Sequence, residues 1–491
     1  MTQPPPTQPS RTSPGPNGPA APFDLEVAGV DELQAAMAAG KLTSERLVLG
    51  YLERIARFDP VVNAVRCLAP DALEQARRLD GERAASGPRG PLHGIPVLIK
   101  DNIDVDGLAT TGCTIALRDN VPASDAPLVR NLREAGAVVL GKTNLTEMAN
   151  FMARDMPSGY SSLGGQVLNP YDTTVSPCGS SSGSGAAAAL GLATLTVGTE
   201  TDGSILCPAS VQGCVGVKPT VGLISGVGIL PIAPSQDTAG PMTRTVRDAA
   251  LLLGALAKDP TDYAAGLGSL DLSGVRLAVP APVDDLHGAD LELFEQALRL
   301  LEGAGAVLVR TQALVESSEL PVLLHEFGPA LGAYLETMPS PTVRSLAELV
   351  AYNSLHDTQT LKYGQALLEE SLAVDHQADA TAYRALRDRD RRLAGELGVD
   401  AVLAGHDAVA LLVPGATMSG VGARSGYPSV TVPAGLRVHG RRPFGLTFLG
   451  TAWSEQLLLD LAHAYEQLAQ ARVPVSQANP ALMVMTEARS D

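Results

Sequence analysis

Gly94-Ile95-Pro96-Val97-Leu98-Ile99-Lys100-Asp101-Asn102 is a short apolar run that ends on a cation, and the pattern downstream of it points to the fold class. Pro96-Val97-Leu98-Ile99 reads as a short buried strand. A helical pattern from Ala126 to Ala135 comes next, and then a second apolar run, Ala137-Val138-Val139-Leu140-Gly141. Apolar runs of strand length alternating with helical patterns are what a sheet covered by helices on both faces requires. The expected fold class is therefore α/β, a sheet covered by helices on both faces.

Toward the N-terminus, Leu33, Met37, Leu42, Leu47, Leu49, Leu52 and Ile55 include spacings of three and four (33/37, 49/52 and 52/55), as two amphipathic helices would need, with Gly40 as the break. Leu192 to Val197 is a β-prone run, preceded by an Ala-rich helix from Ala186. Downstream, Asp259 to Asp271 reads as a connection rich in Pro, Asp and Gly. Val275 to Val279, Leu291 to Leu301 and Ala306 to Val309 then read as strand, helix and strand. Leu314 to Leu397 is mainly helical. Ala401-Val402-Leu403-Ala404, Ser429-Val430-Thr431-Val432 and Phe444 to Phe448 are expected to complete the sheet before a last helix, Glu455 to Ala471. No repeat and no clean linker divides the chain. The expected organisation is one domain over 23–475 with a helical insertion at about 314–397, between a Pro-rich tail (1–22) and a C-terminal tail (476–491).

Composition narrows the function. A chain of 491 residues, 45% hydrophobic, can bury a large core, and its formal charge of −17 argues against a nucleic-acid or anionic-membrane surface, both of which need clustered Lys and Arg. A small-molecule or peptide substrate fits better. Nothing approaches the roughly 20 apolar residues of a membrane span, and the first 22 residues lack the apolar core of a secretory signal, so the expected compartment is the cytoplasm. The oligomeric state is not legible. Cys67, Cys113, Cys178, Cys207 and Cys214 show neither CxxC pairs nor a Cys/His cluster, so they are expected as free thiols, with no metal and no cofactor.

Three stretches could carry chemistry. Gly179-Ser180-Ser181-Ser182-Gly183 formally matches G-x-S-x-G, with Ser181 as nucleophile, but Pro170, Asp172 and Pro177 argue against the hydrophobic strand that a nucleophile elbow needs before it. The same Gly/Ser loop could act as an anion nest. Gly198-Thr199-Glu200-Thr201-Asp202-Gly203-Ser204 places Ser204 on a sharp turn where consecutive N–H groups could converge as an oxyanion hole. None of the eight histidines stands in a motif. Lys100 is more informative: an amine at the end of a buried strand is costly while charged, so its pKa should fall below the usual value of about 10.4 and make it a candidate general base.

His93-Gly94-Ile95-Pro96-Val97-Leu98-Ile99-Lys100-Asp101-Asn102, Gly141-Lys142-Thr143-Asn144, the Ser180-Ser181 loop, Gly203-Ser204 and Asp237-Thr238-Ala239-Gly240-Pro241-Met242 together resemble the amidase signature family in order and spacing. The likeness runs from about Val30 to Ala471 and implies a three-layer α/β/α sandwich around a large mixed β-sheet. The loops Cys178 to Ser184 and Gly198 to Ser204 are most similar to the peptide amidase branch, which removes ammonia from C-terminally amidated peptides. The resemblance implies Ser204 as nucleophile, Ser180 as a bridging serine held by a cis peptide bond, and Lys100 as base. It implies an oxyanion hole from the backbone N–H groups of Thr201, Asp202, Gly203 and Ser204. Cys178 and Ser182 stand where the family usually has glycine, as does Asp202 in the nucleophile turn, which puts substrate preference in question. Ser181, Tyr160, Gln166 and Asp237 are candidates for shaping the substrate pocket, while Lys142 and Lys218 read as structural. The alternatives are a broad aliphatic or aryl amidase of the same family, the amide-transferring subunit of a tRNA-linked complex, a G-x-S-x-G esterase using Ser181 with His406 or His463, and a non-catalytic scaffold.

Overall fold

The computed structural model describes residues 23–281, 286–314, 318–437 and 441–485. The expected N-terminal tail lies outside the described residues. Thirteen strands are present among them: β1 (Val65–Leu68), β2 (Pro96–Lys100), β3 (Val138–Thr143), β4 (Tyr160–Ser161), β5 (Gly165–Gln166), β6 (Leu195–Glu200), β7 (Val215–Lys218), β8 (Thr238–Thr243), β9 (Arg276–Pro280), β10 (Val307–Thr311), β11 (Ala410–Pro414), β12 (Ser429–Leu436) and β13 (Pro443–Leu449). Eleven form one mixed sheet in the order β1-β3-β2-β6-β8-β7-β12-β13-β11-β9-β10, and β4 and β5 make a separate small ribbon.

The run that ends on Lys100 is β2, and every residue of it is buried. Both its neighbours run parallel to it: Lys100 faces Thr143 of β3, and Ile99 faces Val197 of β6. Parallel strands end on the same side of a sheet, so the carboxyl ends of β2 and β6 meet at one edge, the place where open α/β sheets put their ligand sites. Lys100 closes β2 and Glu200 closes β6.

Between them lies a helix, Ser182–Leu190, whose nine residues are all buried. A helix buried all round belongs inside a core, and its sequence of small residues, Ser, Gly and Ala, is what lets backbones approach it closely. A Cβ on Gly185 would come within 2.5 Å of the Gln212 side chain, so only glycine fits there. Helices Leu320–Glu336, Leu346–Leu355, Ala366–Leu372 and Ala380–Ala394 make up the expected helical insertion. Its Phe327, Leu331 and Leu349 share a hydrophobic cluster with Met148, Phe151, Leu230 and Ile232, so the insertion sits over the loops at the β2–β6 edge.

Three expectations need correction. Ala401–His406 is a helix, and the strand comes later at Ala410–Pro414, after Asp407 turns the chain through the left-handed region. Four apolar residues fit either structure, and length alone does not arbitrate. Strand β6 begins and ends three residues beyond the expected run, which moves Thr199 and Glu200 from the turn into the sheet. Residues 476–485 of the expected C-terminal tail pack on the body, and the rest of that tail lies outside the described residues: Val475–Ala478 and Pro480–Met485 are helical, Leu482 is buried, and the Ser476 N–H donates to Glu26 Oε1 (2.9 Å).

Candidate active site

Lys100 is completely buried at the end of β2 and has three partners: Ser180 Oγ (2.8 Å), Thr199 Oγ1 (2.8 Å) and the Thr199 carbonyl oxygen (3.2 Å). Burial pushes its amine down to about 7, against the opposing pull of Glu200. The geometry suits the neutral form. An uncharged amine has two N–H donors and one lone pair. Thr199 offers two acceptors, one of them a carbonyl that can only accept, which leaves the lone pair for the Ser180 hydroxyl proton. Asn102 Nδ2 donates to the same Thr199 Oγ1 (2.9 Å) and fixes that oxygen.

Ser180 lies just before the helix Ser182–Leu190, and the peptide bond Gly179–Ser180 is cis. Its carbonyl accepts from the Thr146 N–H (3.1 Å). A Cβ on residue 179 would collide with Thr146 Oγ1, so the loop requires glycine there. Ser181 is fully buried; its hydroxyl donates to the Thr199 carbonyl (3.0 Å) and accepts from the Thr199 N–H (3.2 Å). Those bonds stitch the loop to β6 and take up the hydroxyl, so Ser181 is neither exposed as a nucleophile nor turned toward a substrate.

The Ser204 turn packs directly on this loop, because the Ser181 N–H donates to the Ser204 carbonyl (3.1 Å). Ser204 retains 7% exposure, against 1% for Ser180. Gly203 has φ +72°, and a Cβ there would sit 3.0 Å from Ser419 Oγ. Glu200 holds the far side of the turn: its Oε2 accepts from the N–H groups of Ile205 (2.7 Å) and Leu206 (2.9 Å). Among the described residues, the N–H groups of Thr201, Asp202, Gly203 and Ser204 donate to no protein acceptor. Four unpaired donors in one turn are rare in a folded interior and are of the kind that can meet an anion.

The remaining candidates divide. Asp237 is part-buried, accepts from Thr201 Oγ1 (2.5 Å) and from the N–H groups of Ile232 (2.9 Å) and Ala233 (3.0 Å), and burial pushes its carboxyl up to about 7. It lines a narrow pocket with Asn102, Ala149, Thr201, Ile229 and Ile232 beside the turn. Tyr160 belongs to the β4–β5 ribbon and stacks edge-on to Tyr363 at 4.9 Å, with Lys362 Nζ over its ring. Gln166 spends its amide on the carbonyls of Ser158 and Val167 (2.9 Å each), a structural use. Lys142 pairs with Asp101 (3.2 Å), and Lys218 donates to the carbonyls of Gly422 (2.9 Å) and Tyr427 (2.6 Å). Both therefore have the structural placement expected of them.

Two features escaped the sequence. Thr199 and Glu200, the residues that orient Lys100 and the turn, lie within a motif that drew attention only to its serine and to the backbone N–H groups of residues 201–204. The expectation of free thiols fails for one pair: Cys178 and Cys207 form a disulfide, with Cα atoms 5.9 Å apart. The chain fold brings them together across 29 residues, a spacing that carries no signal of its own. Cys67, Cys113 and Cys214 are free, the last two fully buried.

The Amidase family model matches residues 46–459, most of the chain. This chain belongs to the amidase family. It is similar to the native peptide amidase of Stenotrophomonas maltophilia, with 46% identity and a TM-score of 0.87 over 91% of this chain and 98% of that one. A probable amidase of Arabidopsis thaliana is 36% identical over 92% of each chain. The mandelamide hydrolase of Pseudomonas putida is 34% identical over 89% of this chain and 90% of its own. This amidase is therefore an amide-hydrolysing enzyme built on the amidase signature fold. Among its described residues no helix is long and apolar enough to cross a membrane.

Proposed function

We propose that this amidase removes ammonia from C-terminally carboxamidated peptides through an acyl-enzyme on Ser204, with Ser180 as relay and Lys100 as base. The observation that carries the reading is the bond between Lys100 and Ser180 on an amine whose pKa lies near 7. Ser204 Oγ attacks the amide carbonyl as its proton passes to Ser180, whose own proton passes to the Lys100 lone pair. The carbonyl oxygen, now negative, is met by the free N–H groups of the Thr201–Ser204 turn, where one such donor is typically worth about 3 kcal/mol. When the C–N bond breaks, Ser180 gives its proton to the amide nitrogen, which departs as ammonia, and recovers a proton from the Lys100 ammonium. Water then attacks the ester by the same route, releasing a free carboxylate and restoring Ser204. No histidine takes part, in keeping with His463 sitting beside Glu466 on an outer helix.

The peptide preference is supported by likeness to a peptide amidase. A second reading, an aryl or alkyl amidase, is supported by the likeness to mandelamide hydrolase. Ammonia release from a panel of amidated dipeptides set against simple aliphatic and aromatic amides separates the two. The proposal requires kcat/KM to be higher for the dipeptide amides. A higher value for the simple aromatic amides would overturn the peptide assignment and leave the hydrolytic chemistry in place.

A further inference from the structure

The Cys178–Cys207 disulfide joins the two loops that must stay in register for this chemistry. Cys178 lies two residues before Ser180, and Cys207 lies three residues after Ser204. The other ties of the Ser180 loop are hydrogen bonds, among them Ser182 Oγ to the Cys178 carbonyl (2.6 Å), Gln212 Nε2 to the carbonyls of Pro177 (3.0 Å) and Ser182 (3.1 Å), the Ser181 N–H to the Ser204 carbonyl, and the bonds of Ser180 and Ser181 to Lys100, Thr146 and Thr199 described above. None of them covalently links the Ser180 loop to the helix that follows the nucleophile. Both cysteines are only half-buried, and Cys207 lines a small surface cavity of about 120 Å³ with Ser210, Pro414 and Gly415. A thiol in solution can therefore reach the bridge, whereas the free thiols of Cys113 and Cys214 are shut in the core.

We infer that this disulfide is a thiol-responsive clamp that positions Ser180 against Ser204, so that the enzyme is fully active only while the bridge is closed. The inference rests on the proposed roles of Ser180 and Ser204. Opening is thiol–disulfide exchange: a dithiol such as dithiothreitol gives up two electrons and two protons, the S–S bond becomes two cysteine thiols, and the reductant closes to its own cyclic disulfide. The remaining hydrogen bonds keep the loops folded, but the serines lose a fixed separation. Displacement of a reacting group by about 1 Å can cost about 100-fold in rate. Disulfides persist in oxidising surroundings and are rare where glutathione keeps thiols reduced. The clamp thus makes activity dependent on compartment, closed outside a reducing cytosol and open within one.

The test uses the full-length enzyme, purified without reductant. Thiol alkylation and peptide mapping should find Cys178 and Cys207 blocked before treatment with dithiothreitol and alkylated after it. On reduction at about 25 °C, kcat should fall about 10–100-fold with KM changed less than about twofold, and reoxidation should restore the rate. Cys178→Ser and Cys207→Ser should have the low kcat without reductant and no further response to it, while Cys214→Ser should behave as the unaltered enzyme. A purely stabilising disulfide would lower the melting temperature on reduction and leave kcat at that temperature untouched. That result overturns the inference, as would free thiols at both positions in the fully active enzyme. Ser204→Ala and Ser180→Ala, assayed in parallel, separate the clamp from the catalytic roles. If both lose turnover while reduction has no effect, the clamp alone fails; if Ser204→Ala keeps turnover, the catalytic reading has failed first.

Discussion

Replacing Lys100 by methionine should remove a pH-dependent part of the protein's stability that reports the buried amine directly. In the unfolded chain the lysine titrates near its ordinary value of 10.5, whereas in the folded protein burial brings it to about 7. Between those values the unfolded chain binds a proton that the native protein does not, so unfolding becomes easier as pH falls from 10.5 toward 7. Each unit of difference corresponds to about 1.4 kcal/mol. Full expression of the gap is therefore about 5 kcal/mol below pH 7, reached along a slope that levels off there. Methionine keeps a long apolar stem and has no proton to bind. It leaves Ser180 Oγ and the Thr199 oxygens short of a partner, a cost of about 1–3 kcal/mol per group that does not vary with pH. The decisive quantity is the difference between the two proteins as a function of pH, measured by urea unfolding from about pH 6 to pH 9.5. Relative to the variant, the unaltered enzyme should lose about 2–3 kcal/mol between pH 9 and pH 7 and little more below that. Parallel stability curves would show that Lys100 keeps an ordinary pKa in the folded state, and an amine of that kind could not serve as a neutral base.

The same amine sets the rate. kcat/KM should rise from about pH 5 to pH 8 and level off, with an apparent pKa near 7, since the neutral form is the base; stopped-point ammonia assays across that range check it, and Asp237→Asn should leave the limb in place even though Asp237 is also pushed up to about 7. Thr199→Val removes an oxygen that accepts from Lys100 and from Asn102, so the ammonium loses an acceptor; the acid limb should move down by about one unit and kcat should drop about tenfold, read from the same pH series. Gly203→Ala puts a methyl group on a left-handed residue 3.0 Å from Ser419 Oγ, and should lower kcat at least about tenfold by turning the donors of the Thr201–Ser204 turn, with KM for the substrate little changed.

The fold and the candidate site were legible in the sequence to different depths. The strand before Lys100 stands out because a cation closing an apolar run has few explanations in a soluble core, and the alternation around it identifies the sheet. The loops bearing Ser180 and Ser204 stand out through their motifs, and the structure brings them into contact through a backbone bond between Ser181 and Ser204 and through the Cys178–Cys207 disulfide. What sequence reasoning missed depends on register and long-range approach. A shift of three residues in β6 separates a turn residue from a strand residue, and with it the role of Thr199 in orienting Lys100. The Cys178–Cys207 pair depends on where the helix after Ser204 lands, which no local spacing encodes. Ala401 to Ala404 is too short for its periodicity to distinguish a helix from a strand.

All of the proposed chemistry turns on the Ser204 hydroxyl attacking the carbonyl. A serine-directed phosphonate, incubated with the intact enzyme and located by peptide mass spectrometry, identifies the attacking residue outright. A single adduct on Ser204 is expected, formed faster as pH rises through about 7 and absent from Ser204→Ala. An adduct on Ser181, or undiminished labelling of the Ser204→Ala protein at another residue, would contradict it.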